Sequence, residues 1–379
     1  MDYFQSLGQN DIFISSLAVI SGLLLGKIKV KGINLGTSGT LFTGLFFGLM
    51  GFGVPDSYFS WNLVIFVVSV GLLASEDALE VVRKFGFKFI ALGIVATSVG
   101  ALVTLLLVRI LSSSSIDPLL LAGAYTGALT SSPGLGAALE ATNASPMVTI
   151  GYTLTYPFGV VAVVLFVQVA ASIFHIDVEK ERQELHSCLA KSKTSPDRRE
   201  RSVPFAVVSF VLCMVLGIML GKVPFPLPKV GHFSLGTTGG ALIVSLVLGS
   251  LGKVGPFQMR MDTGTLIALR SISLAYFLAT VGLMAGPNVA ATFANYGILL
   301  ICIGFFAALF SELITFFVGR YLLKLNWILL AGTICGAMTS TPGLGAAIEA
   351  TGSEESGAGY GATYPVALLC MVNTVPFRS

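Results

Sequence analysis

GALTSSPGLGAALEAT, residues 127–142, returns as GAMTSTPGLGAAIEAT at residues 336–351, with thirteen of the sixteen positions identical. Downstream, Gly151-Tyr152 and Thr155-Tyr156-Pro157 match Gly359-Tyr360 and Thr363-Tyr364-Pro365. Upstream, Leu35-Gly36-Thr37-Ser38-Gly39 matches Leu235-Gly236-Thr237-Thr238-Gly239, and Val70-Gly71-Leu72-Leu73-Ala74 matches Val281-Gly282-Leu283-Met284-Ala285. The order is the same in both halves and the offset stays between 200 and 211, so the chain is a duplicated unit. The expected organisation is a first membrane repeat over 1–174, a polar linker over 175–202 and a second repeat over 203–379.

The unit is apolar. Of the 379 residues 54% are hydrophobic and 11% charged, where a soluble domain carries about 25% charged residues. Mean hydropathy is +0.87, and apolar stretches near the roughly 20 residues of a bilayer crossing recur along the chain. The first one runs straight into Gly26-Lys27, has no basic residue ahead of it and reads as a retained helix, not a cleaved signal. A net charge of +3 without a basic stripe excludes nucleic acid as a partner. Five cysteines without metal spacing read as reduced and structural, and no metal or cofactor is expected.

Charge gives the topology. Crossings read at about 11–30, 38–54, 61–75, 88–111 and 147–174, with the segment 118–142 broken at Ser131-Ser132-Pro133-Gly134. If that segment dips in and returns, Lys27, Lys29, Lys31, Arg83, Lys84, Lys88 and the linker, which holds seven Lys/Arg, all fall inside. In the second half Lys253, Arg260, Arg320 and Lys324 fall inside, while Arg109, Lys222, Lys229 and Arg378 oppose the rule. Five crossings per half is an odd number, so the second copy is inverted, with both termini outside and the linker cytoplasmic. Inverted repeats are an architecture of secondary transporters. The linker itself reads as a solvated connection.

The paired motif carries the chemistry. Ser131-Ser132-Pro133 and Ser340-Thr341-Pro342 each read as a helix stop followed by a helix start, Ser or Thr capping and Pro entering the first turn. Half-helix starts present free N–H groups and partial positive charge, suited to a carboxylate or other anion. The candidate substrate site is therefore Thr130, Ser131, Ser132, Pro133, Gly134 and Gly136 with Thr339, Ser340, Thr341, Pro342, Gly343 and Gly345. Arg270, isolated in an apolar stretch, is either a substrate clamp or an interfacial snorkelling residue. Thr155-Tyr156 and Thr363-Tyr364 precede prolines inside membrane helices and read equally as a cation or substrate site or as a polar kink. Glu140 and Glu349 lie two turns past the prolines, as ion-coupling carboxylates if deep and as interface residues, the favoured reading, if shallow.

These motifs resemble the aspartate–alanine exchanger family of bacterial permeases, over nearly the whole membrane part of the chain. The resemblance implies an all-α integral membrane protein of two inverted repeats, each of about five transmembrane helices with a broken re-entrant hairpin. It implies an antiporter exchanging small anionic amino acids or related carboxylates in the bacterial inner membrane. More distantly the chain resembles elevator-type carriers, which implies a homodimer. One departure stands out: a typical member carries a large regulatory insert between the halves, where this chain has about 28 residues. A sodium- or proton-coupled carboxylate symporter and a channel are the competing readings. An enzyme is not expected, since all three histidines fall in loops and no H-E-x-x-H occurs.

Overall fold

In a computed structural model of the chain, residues 10–28, 36–111, 117–131, 134–135, 138, 142, 145–190, 204–227, 231–296 and 298–374 are described. The described residues are overwhelmingly helical. The first half holds α1 (Asp11–Gly26), a 3-10 turn (Gly36–Ser38), α2 (Gly39–Leu49), α3 (Asp56–Leu111), α4 (Pro118–Ala128) and α5 (Pro146–Ile173). After α6 (Val178–Ala190), the second half holds α7 (Val207–Lys222), α8 (Gly236–Leu251), α9 (Thr263–Tyr296) and α10 (Ile298–Phe317). It ends in α11 (Trp327–Ala337), α12 (Thr341–Thr351) and α13 (Glu355–Thr374). Two minimal hairpins, β1 (Phe225–Leu227) with β2 (Gly231–Phe233) and β3 (Lys253–Val254) with β4 (Phe257–Gln258), flank α8.

Among the described residues, five stretches are long and apolar enough to cross a bilayer: Asp56–Ser75, Val81–Leu107, Pro146–Ile173, Thr263–Pro287 and Leu299–Leu322. Shorter apolar helices, among them α1, α7 and α8 at 16 residues each, reach only about 24 Å against a core of about 30 Å. α2 has 11 residues where a crossing over 38–54 was expected.

The crossings expected at 61–75 and 88–111 fall within one helical run, α3, of 56 residues. That run bends. A side chain at Gly357 would meet Val70 and Ala74, and one at Gly93 would meet Thr363 and Val366. Gly357 and Thr363 are about 9 Å apart along α13, whereas Ala74 and Gly93 would be about 28 Å apart on a straight α3. The helix therefore doubles back between these points, as two crossings require.

Contacts between the halves are exchanged in kind. The Val70–Ala74 segment of α3 packs on α8, where Gly71 faces Ser245 and Gly249 faces Ser75. Its repeat, Val281–Ala285 of α9, packs on α2, where Gly282 faces Leu45 and Gly286 faces Leu49. Gly304 of α10 lies on Thr155 of α5, and Gly93 of α3 lies on Thr363 of α13.

The linker differs from the solvated connection expected. Residues 178–190 form α6, and Glu181, Leu185 and Leu189 are buried against the membrane helices. Glu181 accepts from Arg320 Nη2 at 2.6 Å and from the Trp327 N–H at 2.8 Å, at the start of α11. Arg182 Nη2 donates to the Thr351 carbonyl at 2.7 Å, at the end of α12. Anion at a helix start and cation at a helix end are both the favoured placements. Lys84 Nζ lies 2.8 Å from Cys188 Sγ. Lys84, Arg320 and the linker, all assigned to one side by charge, thus meet at one end of the molecule. Lys29, Lys31, Lys229 and Arg378 lie outside the described residues.

Candidate functional site

Both broken segments stop in the same way. Thr130 N–H donates to the Gly127 carbonyl and Ser131 N–H to the Thr126 carbonyl, at 2.9 and 2.8 Å; Thr339 and Ser340 repeat this onto Gly336 and Cys335 at 3.1 and 2.8 Å. This is the Schellman closure, whose left-handed residue is usually glycine. Here it is threonine, at φ 54° in Thr130 and 51° in Thr339. A β-branched residue held there costs about 1–2 kcal/mol.

The hydroxyls explain the choice. Thr130 Oγ1 donates to the Met338 carbonyl at 3.0 Å, and Thr339 Oγ1 donates to the Leu129 carbonyl at 3.3 Å. Each tip is tied to the other by the side chain that strains it, a bond that glycine lacks. Ser131 then caps the next turn, its Oγ accepting from the Gly134 N–H at 3.0 Å, as Ser340 Oγ accepts from the Gly343 N–H at 3.2 Å. Both serines are fully buried. Pro342 enters α12 in its first turn.

Where the tips meet, a cavity of about 190 Å³ opens, room for roughly six waters. Thr130, Tyr156, Thr339, Thr341, Pro342 and Tyr364 line it, all anticipated from sequence. They are joined by Phe59, Ser60 and Leu63 of α3, Phe277 of α9 and the Gly236–Thr238 start of α8. Among the described residues, no charged side chain lines it. The polar groups are hydroxyls and the start of α12. Tyr364 OH donates to the Leu235 carbonyl at 3.2 Å. Tyr360, a turn back along α13, places its hydroxyl 3.4 Å from Thr341 Oγ1.

The remaining anticipated residues stand elsewhere. Thr155 and Thr363 are buried and bond back to helix carbonyls, Thr155 also bridging to Ala124 of α4 at 3.0 Å. They pin the helix pairs and do not line the cavity. Gly134 lies behind the first tip, against Ser131 and Thr126, and Gly345 packs on Leu274. Ser132, Pro133, Gly136 and Glu140 lie outside the described residues.

Arg270 and Glu349 are brought together, but away from the cavity. Arg270 pairs with Glu354, with Glu349 in electrostatic reach. Exposed Glu349 accepts from the Thr37 N–H at 2.7 and 2.9 Å and from Thr37 Oγ1 at 3.3 Å. Gly36, at φ 51°, makes this possible, because a side chain there would run into the Glu349 carboxylate. These contacts close the end where α6 lies. Exposed Ser60, 15 residues or about 22 Å along α3 from Ser75, marks the opposite end, towards which the cavity faces.

Sequence reading missed the aromatic wall, Phe59 and Phe277, because single aromatics in apolar helices carry no signal. It also missed Glu312, the lone acid in the run ILLICIGFFAALFSELITFF of α10. An ionisable residue inside such a run was the available signal.

The geometry is that of a multi-pass membrane protein with a cavity where residues of both sequence repeats meet. Comparison with known proteins agrees. The family described as a predicted permease membrane region, the aspartate–alanine exchanger type, matches residues 14–172 and 209–378. The chain belongs to this family. Its curated relatives include uncharacterized transporters from Bacteroides fragilis, 27% identical over 97% of this chain and 98% of that protein, and from Bacteroides thetaiotaomicron, 25% identical over 97% and 98%. A transporter from Desulfotalea psychrophila is 25% identical over 96% and 95%. The first alignment runs over 525 positions against 379 residues here, so that relative carries roughly a hundred or more residues that this chain lacks.

Proposed function

We propose that this transporter is an antiporter exchanging small anionic amino acids or related carboxylates by alternating access, with the cavity between the tips as its substrate site. The observation that carries the reading is the reciprocal tie of Thr130 and Thr339, which holds two half-helix breaks at one small cavity. Backbone irregularity at membrane depth persists where it lines a cavity or is buried in protein. With no charged lining residue among those described, a carboxylate is held by the positive starts of α12 and α8 and by hydroxyls. The swapped contacts support two repeats in inverted orientation, and closure at the α6 end supports a state open to the outside only. The same one-sided closure speaks against a channel.

Counterflow tests it. Proteoliposomes preloaded with L-aspartate or L-alanine are expected to take up labelled L-aspartate, and empty ones are not. Uptake into empty vesicles driven by a sodium or proton gradient replaces exchange with symport. Passive conductance without saturation replaces both with a channel.

A further inference from the structure

Glu312 stands in the middle of α10, fully buried, with both carboxyl oxygens lacking a hydrogen-bond partner. An unpaired carboxylate in hydrocarbon costs many kcal/mol, so the group is held neutral or supplied with a cation. Among the described residues no cation pairs with it. The α3 stretch 89–104 packed against α10 holds no ionisable residue. Arg320 below is paired with Glu181, and Arg270 with Glu354. Titratable groups on the other elements packed on α10 include Tyr125 of α4, Tyr152 and Tyr156 of α5, Arg270 and Tyr276 of α9, and Cys335 of α11.

Cys335 is the connection to the site. It lies within electrostatic reach of Glu312, and its sulfur would lie 3.2 Å from a side chain at Gly343, the residue after Pro342 in the cavity wall. Glu312 is therefore one side chain removed from the start of α12. Its carboxyl oxygens have no hydrogen-bond partner among the described residues, whereas a metal cation demands several oxygen ligands. The fitting ligand is a proton.

We infer that Glu312 is a proton-binding site coupled to the substrate cavity: its carboxylate takes up a proton, becoming the neutral acid, in one access state and releases it in the other. This rests on the chain being a transporter and not on aspartate being its passenger. Glu312→Gln mimics the protonated form at nearly equal size, and Glu312→Asp keeps an ionisable group.

Two measurements on the full chain in lipid decide it. Infrared difference spectra between acid and alkaline buffer, without substrate, are expected to show an unbonded carboxylic-acid band that Glu312→Gln lacks and Glu312→Asp shifts. In proteoliposomes preloaded with L-alanine, so that exchange is read, an imposed gradient of about one pH unit is expected to change wild-type L-aspartate accumulation about tenfold for one coupled proton. Glu312→Gln is expected to keep uptake and lose that response. A band unchanged in Glu312→Gln, a group that does not titrate, or a tenfold response kept in Glu312→Gln overturns the proposal. Wild-type protein that moves no aspartate refutes the substrate reading alone, and the infrared result then decides for Glu312.

Discussion

At the residue scale, two threonines do work that sequence preference argues against. Left-handed backbone at Thr130 and Thr339 costs about what one hydrogen bond returns, about 1 kcal/mol. Thr339→Gly removes strain and bond together, so thermal stability in detergent is expected to stay within about 1 kcal/mol of wild type. Thr339→Val keeps the strain without the bond, and is expected to cost about 1–3 kcal/mol because the Leu129 carbonyl is left buried and unpaired. Both variants are expected to lower uptake, since only the Thr130 bond to Met338 then ties the tips. Full uptake in Thr339→Gly shows that the tie is dispensable. Gly343→Val, pushed into Val163 and Ser340, is a harsher test of the same wall and is expected to abolish uptake.

At the element scale, the broken hairpin 327–351 is gripped at both outer ends by α6, through Glu181 on α11 and Arg182 on α12. Glu181→Ala strands Arg320 and the Trp327 N–H, and is expected to lower stability by about 2 kcal/mol in thermal unfolding. Lys180→Ala, whose partner Glu184 is 4.0 Å away on an exposed face, is expected to change it by less than about 0.5 kcal/mol. The contrast between the two separates docking from mere surface charge. The break at Ser131 and Ser340 was legible because Ser/Thr-Pro-Gly is a local instruction, and the duplication was legible because it is written twice. The docking of α6 was not. Its polar pattern of Glu, Lys and Arg is the same for a solvated helix as for one that hides Glu181, Leu185 and Leu189 on a single face. Nor was the site of Arg270 legible, because its partner Glu354 is 84 residues away. The bend within α3 left no Pro or Gly-Ser pair to announce it.

At the scale of the whole molecule, one end is closed by Glu349 on Thr37 and Arg270 on Glu354, and the cavity faces the other. Alternating access requires the closed end to open. Glu349→Gln weakens its charge-assisted bonds to Thr37 and is expected to shift the protein towards the opposite state. A cysteine at Ser60 reports the change: a membrane-impermeant thiol reagent is expected to label Ser60→Cys readily, and several-fold more slowly when Glu349→Gln is added. Equal labelling in both separates the contact from access. The tie between the tips has a further consequence, in the order of assembly. The acceptor of Thr130 is Met338, 208 residues later in the chain. At about 5–20 residues per second of synthesis, the first tip waits roughly ten to forty seconds for its partner carbonyl. During that interval the ribosome has delivered half a carrier whose strained turn has nothing to hold, so the cavity between the tips is among the last features that biogenesis completes.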